Sequence, residues 1–232
     1  LDLETDCGPG REFSNPDREE DRILSIALAD GRGWELILDG HDLDEKALLK
    51  KFVEIVRKRD PDVVAGHNLF KFDLPYLDTR AKRHRVPLAL GRDGSRPEFH
   101  ASRFTAAERT VAYTHAHLHG RQVVDTYLLA LAYDVSHRAM ENHGLKTVAR
   151  HFGVAAPDRT YIEGRDIAAT FRSDPAAFRR YAADDIRDTA AITPILLAAA
   201  FAQSLLLPLP LETVCLRGNA VKIEALLLRE YL

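Results

Sequence analysis

The chain has 232 residues, 46% hydrophobic and 29% charged, with a formal net charge of -3. That is the composition of one sizeable globular domain with a core of its own. It excludes a histone-like or arm-like nucleic-acid binder, since no global positive field would gather phosphate.

The first predicted element is a strand over Leu1-Asp2-Leu3-Glu4-Thr5. Successive strand side chains point to opposite faces, so Asp2 and Glu4 project together while Leu1, Leu3 and Thr5 pack the other way. Acidic residues are poor strand formers. Holding two side by side costs free energy through desolvation and repulsion unless a cation or a donor compensates. A divalent metal is one compensator and a water-facing strand edge is the other reading; the pair by itself leaves both open. The chain begins without methionine inside this strand, as expected of a piece of something longer.

A polar loop over 6–21 follows. Strands over 22–28 and 34–38, joined by Asp30-Gly31-Arg32-Gly33, predict a hairpin. Asp44 caps a helix from Glu45 to Arg59, which carries Leu48, Leu49, Phe52, Ile55 and Val56 at helical spacing and ends at Asp60-Pro61. A short buried strand, Asp62 to Gly66, leads into Gly66-His67-Asn68-Leu69-Phe70-Lys71-Phe72-Asp73-Leu74-Pro75, at the place where α/β domains put ligand sites. Asp73 falls in the first turn of a helix running to about Arg85, where the helix dipole favours an anion. The cluster Arg80-Ala81-Lys82-Arg83-His84-Arg85 could track a phosphate backbone or be a solvated helix end.

Residues 86–110 give no firm element beyond short strands. In Val111 to His119, alternation puts His115, His117 and His119 on one face. Three imidazoles at that spacing are a zinc pattern, but no supporting acid or cysteine is identifiable, and an exposed strand face explains the spacing as well. Gln122 to Tyr127 reads as a strand entering a helix, with Asp125 a cap or supporting group rather than a ligand. Helices follow over 126–133, 144–151 and 166–172, and another opens at Ser173 or Asp174 with Pro175 early. Pro194 is expected to start a further helix. The apolar run Ile195 to Leu207 is too short to span a bilayer and is expected to be buried, with no membrane partner. Cys7 and Cys215 form no metal or redox motif and read as free thiols; with no signal peptide, the expected location is cytoplasmic, in a bacterial cytoplasm or with the nucleoid.

In the late helical region, Tyr181 and Asp185 are four apart and share a face, whereas Asp184 is turned about 100° away. The strand D-x-E, the post-strand Asn68-x3-Phe72-Asp73 and the helical Tyr181-x3-Asp185 resemble, in order and spacing, the three motifs of the DEDD superfamily of 3'-5' exonucleases. Within that resemblance, Tyr181-x3-Asp185 is similar to the motif of the tyrosine subclass; the histidine subclass would need a histidine where this chain has Arg180. The 66–77 wording is most similar to the proofreading domain of family B DNA polymerases. So is the tail from Gly218 to Glu230, which resembles the passage into the polymerase palm.

The resemblance implies an α/β, ribonuclease-H-like mixed β-sheet flanked by α-helices, with residues 1–207 as the exonuclease domain and 208–232 as a C-terminal helical segment. It implies that Asp2, Glu4, Asp73 and Asp185 hold two divalent cations, Mg2+ or Mn2+, that Tyr181 orients the attacking water, and that Asn68 and Phe72 hold the terminal nucleotides. The implied partners are a single-stranded or frayed DNA 3' end and the polymerase domains of the same parent chain. The polymerase's own catalytic aspartates are missing from this sequence. A stand-alone exoribonuclease, or an inactive nucleic-acid-binding scaffold of the same fold, are the other readings.

Overall fold

The structure is a computed structural model and describes residues 1–8, 11 and 13–231. Strands β1 (Asp2–Thr5), β2 (Ile23–Ala29) and β3 (Glu35–Asp39) form an antiparallel sheet in that order. From Ile23 to Leu28, β2 is buried throughout, as a strand covered on both faces must be. The Asp30 carboxylate closes the hairpin by accepting from the backbone of Arg32 (2.8 Å) and Trp34 (3.2 Å).

β4 (Val63–Gly66) pairs in parallel with β7 (Gln122–Asp125). The two sheets meet at β1: the Leu1 nitrogen donates to the Ala65 carbonyl at 2.8 Å. A Cβ at position 66 would lie 2.8 Å from the Leu1 carbonyl oxygen and 2.9 Å from a Leu69 methyl. Only glycine therefore lets β1 lie beside β4. The antiparallel β1-β2-β3 sheet and the parallel β4-β7 pair thus lie side by side, joined at Leu1, and give the α/β fold its mixed strand directions.

Helices cover both faces. On one side α1 (Glu45–Arg59) and α2 (Asp73–Arg83) bury Leu48, Leu49, Phe52, Leu74 and Leu77 against Ile23, Ile26 and Leu28. On the other, α5 (Ile167–Ser173) and α6 (Pro175–Leu206) bring Phe171 and Phe178 onto Leu24. α3 (Thr126–His137) and α4 (Leu145–His151) complete a second core around Val124. β5 (Glu98–Ala106) and β6 (Arg109–His117) form a separate antiparallel hairpin. α7 (Leu211–Leu216) returns onto the body, burying Val214 and Cys215, before α8 (Asn219–Tyr231). Packing against the sheet thus continues past position 207.

Two expectations about the late helical region are corrected, and the readings left open for the basic cluster and the histidines are narrowed. No new helix begins at Pro194: α6 runs unbroken from Pro175 to Leu206. Proline removes one intrahelical bond, but alanine-rich flanks and the buried Ile192 and Leu196 on either side hold the helix together. By length and composition this helix could cross a membrane, yet its first half packs across the sheet. Its later part is not buried as expected: Ile195, Phe201, Leu205 and Leu206 are exposed, whereas Leu196 and Ala200 are buried and Leu197 and Leu207 pack partly against the core.

The basic cluster of α2 divides, with Arg80 turned onto internal partners and Lys82, Arg83 and Arg85 exposed at the helix end. Arg80, 1% exposed, grips both oxygens of Glu45 at 2.7 and 2.6 Å and also reaches the carbonyls of Pro16, Arg18 and Glu19. Lys82 pairs with Asp78 and Arg83 with Glu19. Among the described residues, the three histidines do not come together as a metal-binding group. His115 turns inward onto Glu212 of α7 (2.5 Å), His117 is exposed, and His119 lies beyond the end of β6.

Candidate active site

Alternation along β1 does to its two acids what the sequence predicts. Leu1 and Leu3 enter the main core, while Asp2 and Glu4 emerge on the opposite face toward α6. Helix α6 begins at Asp174, which caps it by accepting from Ala177 N–H at 2.9 Å, with Pro175 in its first turn. Three turns in, Asp185 meets the strand pair: Asp2, Glu4 and Asp185 each present an oxygen, all within 4.8 Å of one another. Asp184 points elsewhere and accepts the Thr160 N–H at 2.8 Å. Geometry thus separates the two adjacent aspartates.

Asp73 reaches the same region from the start of α2. The turn from β4 into α2 is held by Asp125, whose carboxylate accepts from the N–H groups of Asn68 (2.9 Å), Phe70 (3.0 Å) and Tyr127 (3.0 Å). It caps α3 and at the same time fixes Asn68 in a left-handed conformation, φ 69°, one that asparagine tolerates better than most residues. The Asp73 carboxylate is buried near the β1 backbone, beside the trio rather than within it. Asn68 and Phe72 are half-buried, and the Phe72 ring lies 5.2 Å from that of Tyr76.

Tyr181 stands one turn before Asp185. Its hydroxyl accepts from Lys146 Nζ at 3.3 Å and faces the Asp185 carboxylate. Burial, and then the negative charge of Glu4 and Asp185, push its pKa far above the usual tyrosine value. A cleft of about 480 Å³ opens over the group, lined by Asp2, Glu4, His67, Lys146, Tyr181 and Asp185. His67 is neutral, lowered to about 4 by burial, and its ring bridges the Thr126 hydroxyl and the His143 carbonyl.

Sequence reasoning missed Lys146, Asp188 and Arg159. The Arg159 guanidinium is fully buried between Asp185 and Asp188. No local signal marks it: it is one of 32 basic residues, in a loop with no motif.

The arrangement fits a hard divalent cation. Asp2 Oδ2 is buried with no hydrogen-bond partner, a condition that a buried carboxylate oxygen tolerates poorly. The converging donors are all carboxylate oxygens, which suit Mg2+ or Mn2+. Electrostatics agree. Burial, and then the neighbouring acids, raise Asp2 and Glu4 well above the ordinary carboxylate range. Burial raises Asp73 to about 7 and Asp125 to about 6.

These shifts set the pH dependence of the cation-free chain. An acid raised in the fold keeps a proton that the unfolded chain has already released, so stability falls as pH rises from the unfolded value near 4 toward 7. His67, between 4 and 6.5, and the buried Leu1 amine, below 8, act in the opposite sense, against several raised carboxylates. Urea denaturation in EDTA should therefore show lower stability at pH 8 than at pH 6, with Mn2+ restoring most of the loss at pH 8. Equal stability at both pH values in EDTA would refute this.

The family described as "DNA polymerase family B, exonuclease domain" matches residues 42–148. A DNA polymerase of Archaeoglobus fulgidus is 31% identical over 227 residues, covering 97% of this chain and 26% of that protein. DNA polymerase 2 of Aeropyrum pernix is 31% identical over 223 residues, covering 94% and 26%. The solved family B DNA polymerase of the hyperthermophilic archaeon Pyrobaculum calidifontis superposes with a TM-score of 0.78 at 28% identity, over 98% of this chain and 28% of that one. The chain spans about a quarter of the length of the curated relatives it matches.

Proposed function

From the premise that this chain belongs to the exonuclease domains of the family B DNA polymerases, we propose that it removes nucleotides from a DNA 3' end by divalent-cation-dependent phosphodiester hydrolysis. The observation that carries the reading is the convergence of Asp2, Glu4 and Asp185 around the unpartnered Asp2 oxygen. Asp2, Glu4 and Asp185 would hold the cations, with Asp73 supporting from the β1 backbone. Two such ions supply charge stabilisation for both the attacking and the leaving oxygen of an in-line displacement.

The chain's own residues do the rest. Tyr181, protonated and steadied by Lys146, orients the attacking water by a hydrogen bond. Lys146 adds a positive charge at the rim of the cleft, where a phosphate would enter. Asn68 and Phe72, set by the Asp125 turn, hold the terminal nucleotides; an aromatic face accepts any base, as removal of mismatched ends requires. In this reading residues 1–207 form the exonuclease domain, 208–232 lead toward polymerase domains of a parent chain, and DNA is the substrate.

The test is digestion of 3'-recessed, mismatched and single-stranded DNA, and of RNA, with Mg2+ or Mn2+ and with EDTA. Digestion that survives EDTA, or a preference for RNA, would overturn the proposal. Tyr181→Phe should slow single-turnover cleavage by about tenfold to a hundredfold while leaving Mn2+ affinity, measured by calorimetry, unchanged. Loss of Mn2+ binding in that variant would remove Tyr181 from the water-orienting role.

A further inference from the structure

The segment before α5 is strapped to α6 by every acid of Asp184-Asp185-Ile186-Arg187-Asp188. Asp184 accepts the Thr160 N–H at 2.8 Å. Arg159 donates Nε to Asp188 at 2.6 Å, one terminal nitrogen to the Thr160 carbonyl at 2.9 Å, and the other to Asp185. The Tyr161 ring lies 4.8 Å from the guanidinium carbon. Asp188 and the Thr160 carbonyl hold the fork from behind, so its remaining arm is aimed at Asp185. A planar guanidinium can serve two carboxylates and a carbonyl at once, which an ammonium cannot.

Among the described residues, Arg159 is the one side-chain cation in ion-pair contact with an acid of the Asp2, Glu4 and Asp185 group. Lys146 is engaged with the Tyr181 hydroxyl and the Ile162 carbonyl. With a side-chain exposure of 0%, Arg159 has no surface to offer to a substrate.

We propose that Arg159 is the positioning residue of Asp185 and the internal counter-charge of the acid group, holding the site in its folded form before a divalent cation binds. This rests on the reading of that group as a cation site. Three carboxylates held this close with no cation would repel one another. Arg159 offsets one of them and fixes its direction, so that cation binding completes a site already in place.

The experiment is thermal denaturation of the full chain in EDTA and in Mn2+. Arg159→Met should melt about 10 °C below wild type in EDTA, since Asp185 and Asp188 are left uncompensated. Mn2+ should then raise its melting temperature by about twice the increment it gives wild type, because the cation supplies charge that the arginine no longer does. An arginine that served only to pack would lower both curves equally. Where Arg159→Met yields no folded chain in EDTA, Arg159→Gln keeps a hydrogen bond for Asp188 and removes the charge, and the same doubled increment is expected. Wild type stabilised by Mn2+ with variants stabilised no more would overturn the Arg159 assignment alone. A wild type indifferent to Mn2+ would overturn the cation site, and this proposal with it.

Discussion

Asp185→Ala should lower exonuclease turnover about 10³-fold, since a lost cation ligand forfeits about 4 kcal/mol of transition-state charge stabilisation. The carboxylate is placed by three independent constraints: its turn on α6, its convergence with Asp2 and Glu4, and its bond from Arg159. Asp184→Ala is the control. That carboxylate only accepts the Thr160 N–H and approaches the exposed Arg187, so activity should stay within a few-fold of wild type. Single-turnover cleavage of a 5'-labelled oligonucleotide in Mn2+ measures both variants. If Asp185→Ala stays within tenfold of wild type, or if Asp184→Ala is the inactive variant, the assignment of the acids fails.

Arg80→Met should destabilise the fold by about 3–5 kcal/mol, the cost of leaving a buried acid without its partner. Glu45 sits at the start of α1, 7% exposed, and its carboxylate also accepts the Ile23 N–H of the central strand at 2.9 Å. Losing Arg80 therefore disturbs helix α1, helix α2 and strand β2 together. The same exchange on the surface pair, Lys82→Ala, should cost no more than about 1 kcal/mol, because Lys82 is largely exposed. Urea denaturation separates the two. A small effect of Arg80→Met on stability, accompanied by a weaker salt dependence of DNA binding, would return Arg80 to the role of phosphate contact that the sequence left open.

Where sequence reasoning succeeded, the deciding information was local. The side-chain period of a strand paired Asp2 with Glu4. Caps at Asp44, Asp125 and Asp174 each accept the backbone N–H that their position demands. Tyr181 and Asp185 share a helix face because they are four apart. Where it failed, a distant partner decided the outcome. Pro194 signalled a boundary, but tertiary packing of Ile192 and Leu196 carried the helix through it. His115 looked solvent-facing until Glu212, 97 residues away, arrived beside it. The arginines of α2 looked like a surface field until Glu45 and the loop carbonyls of Pro16, Arg18 and Glu19 enclosed one of them.

The sequence by itself determined which acids exist, which face of their own strand or helix they occupy, and, through motif order, the family. These follow from backbone periodicity and capping, which operate within a few residues. Only the tertiary structure decided which charges meet. It set Asp73 beside the trio, allowed β1 to lie against Gly66, and drove Arg159 between Asp185 and Asp188. Burial and ion pairing depend on which elements pack together, and one buried arginine carries no mark in the sequence to distinguish it from an exposed one.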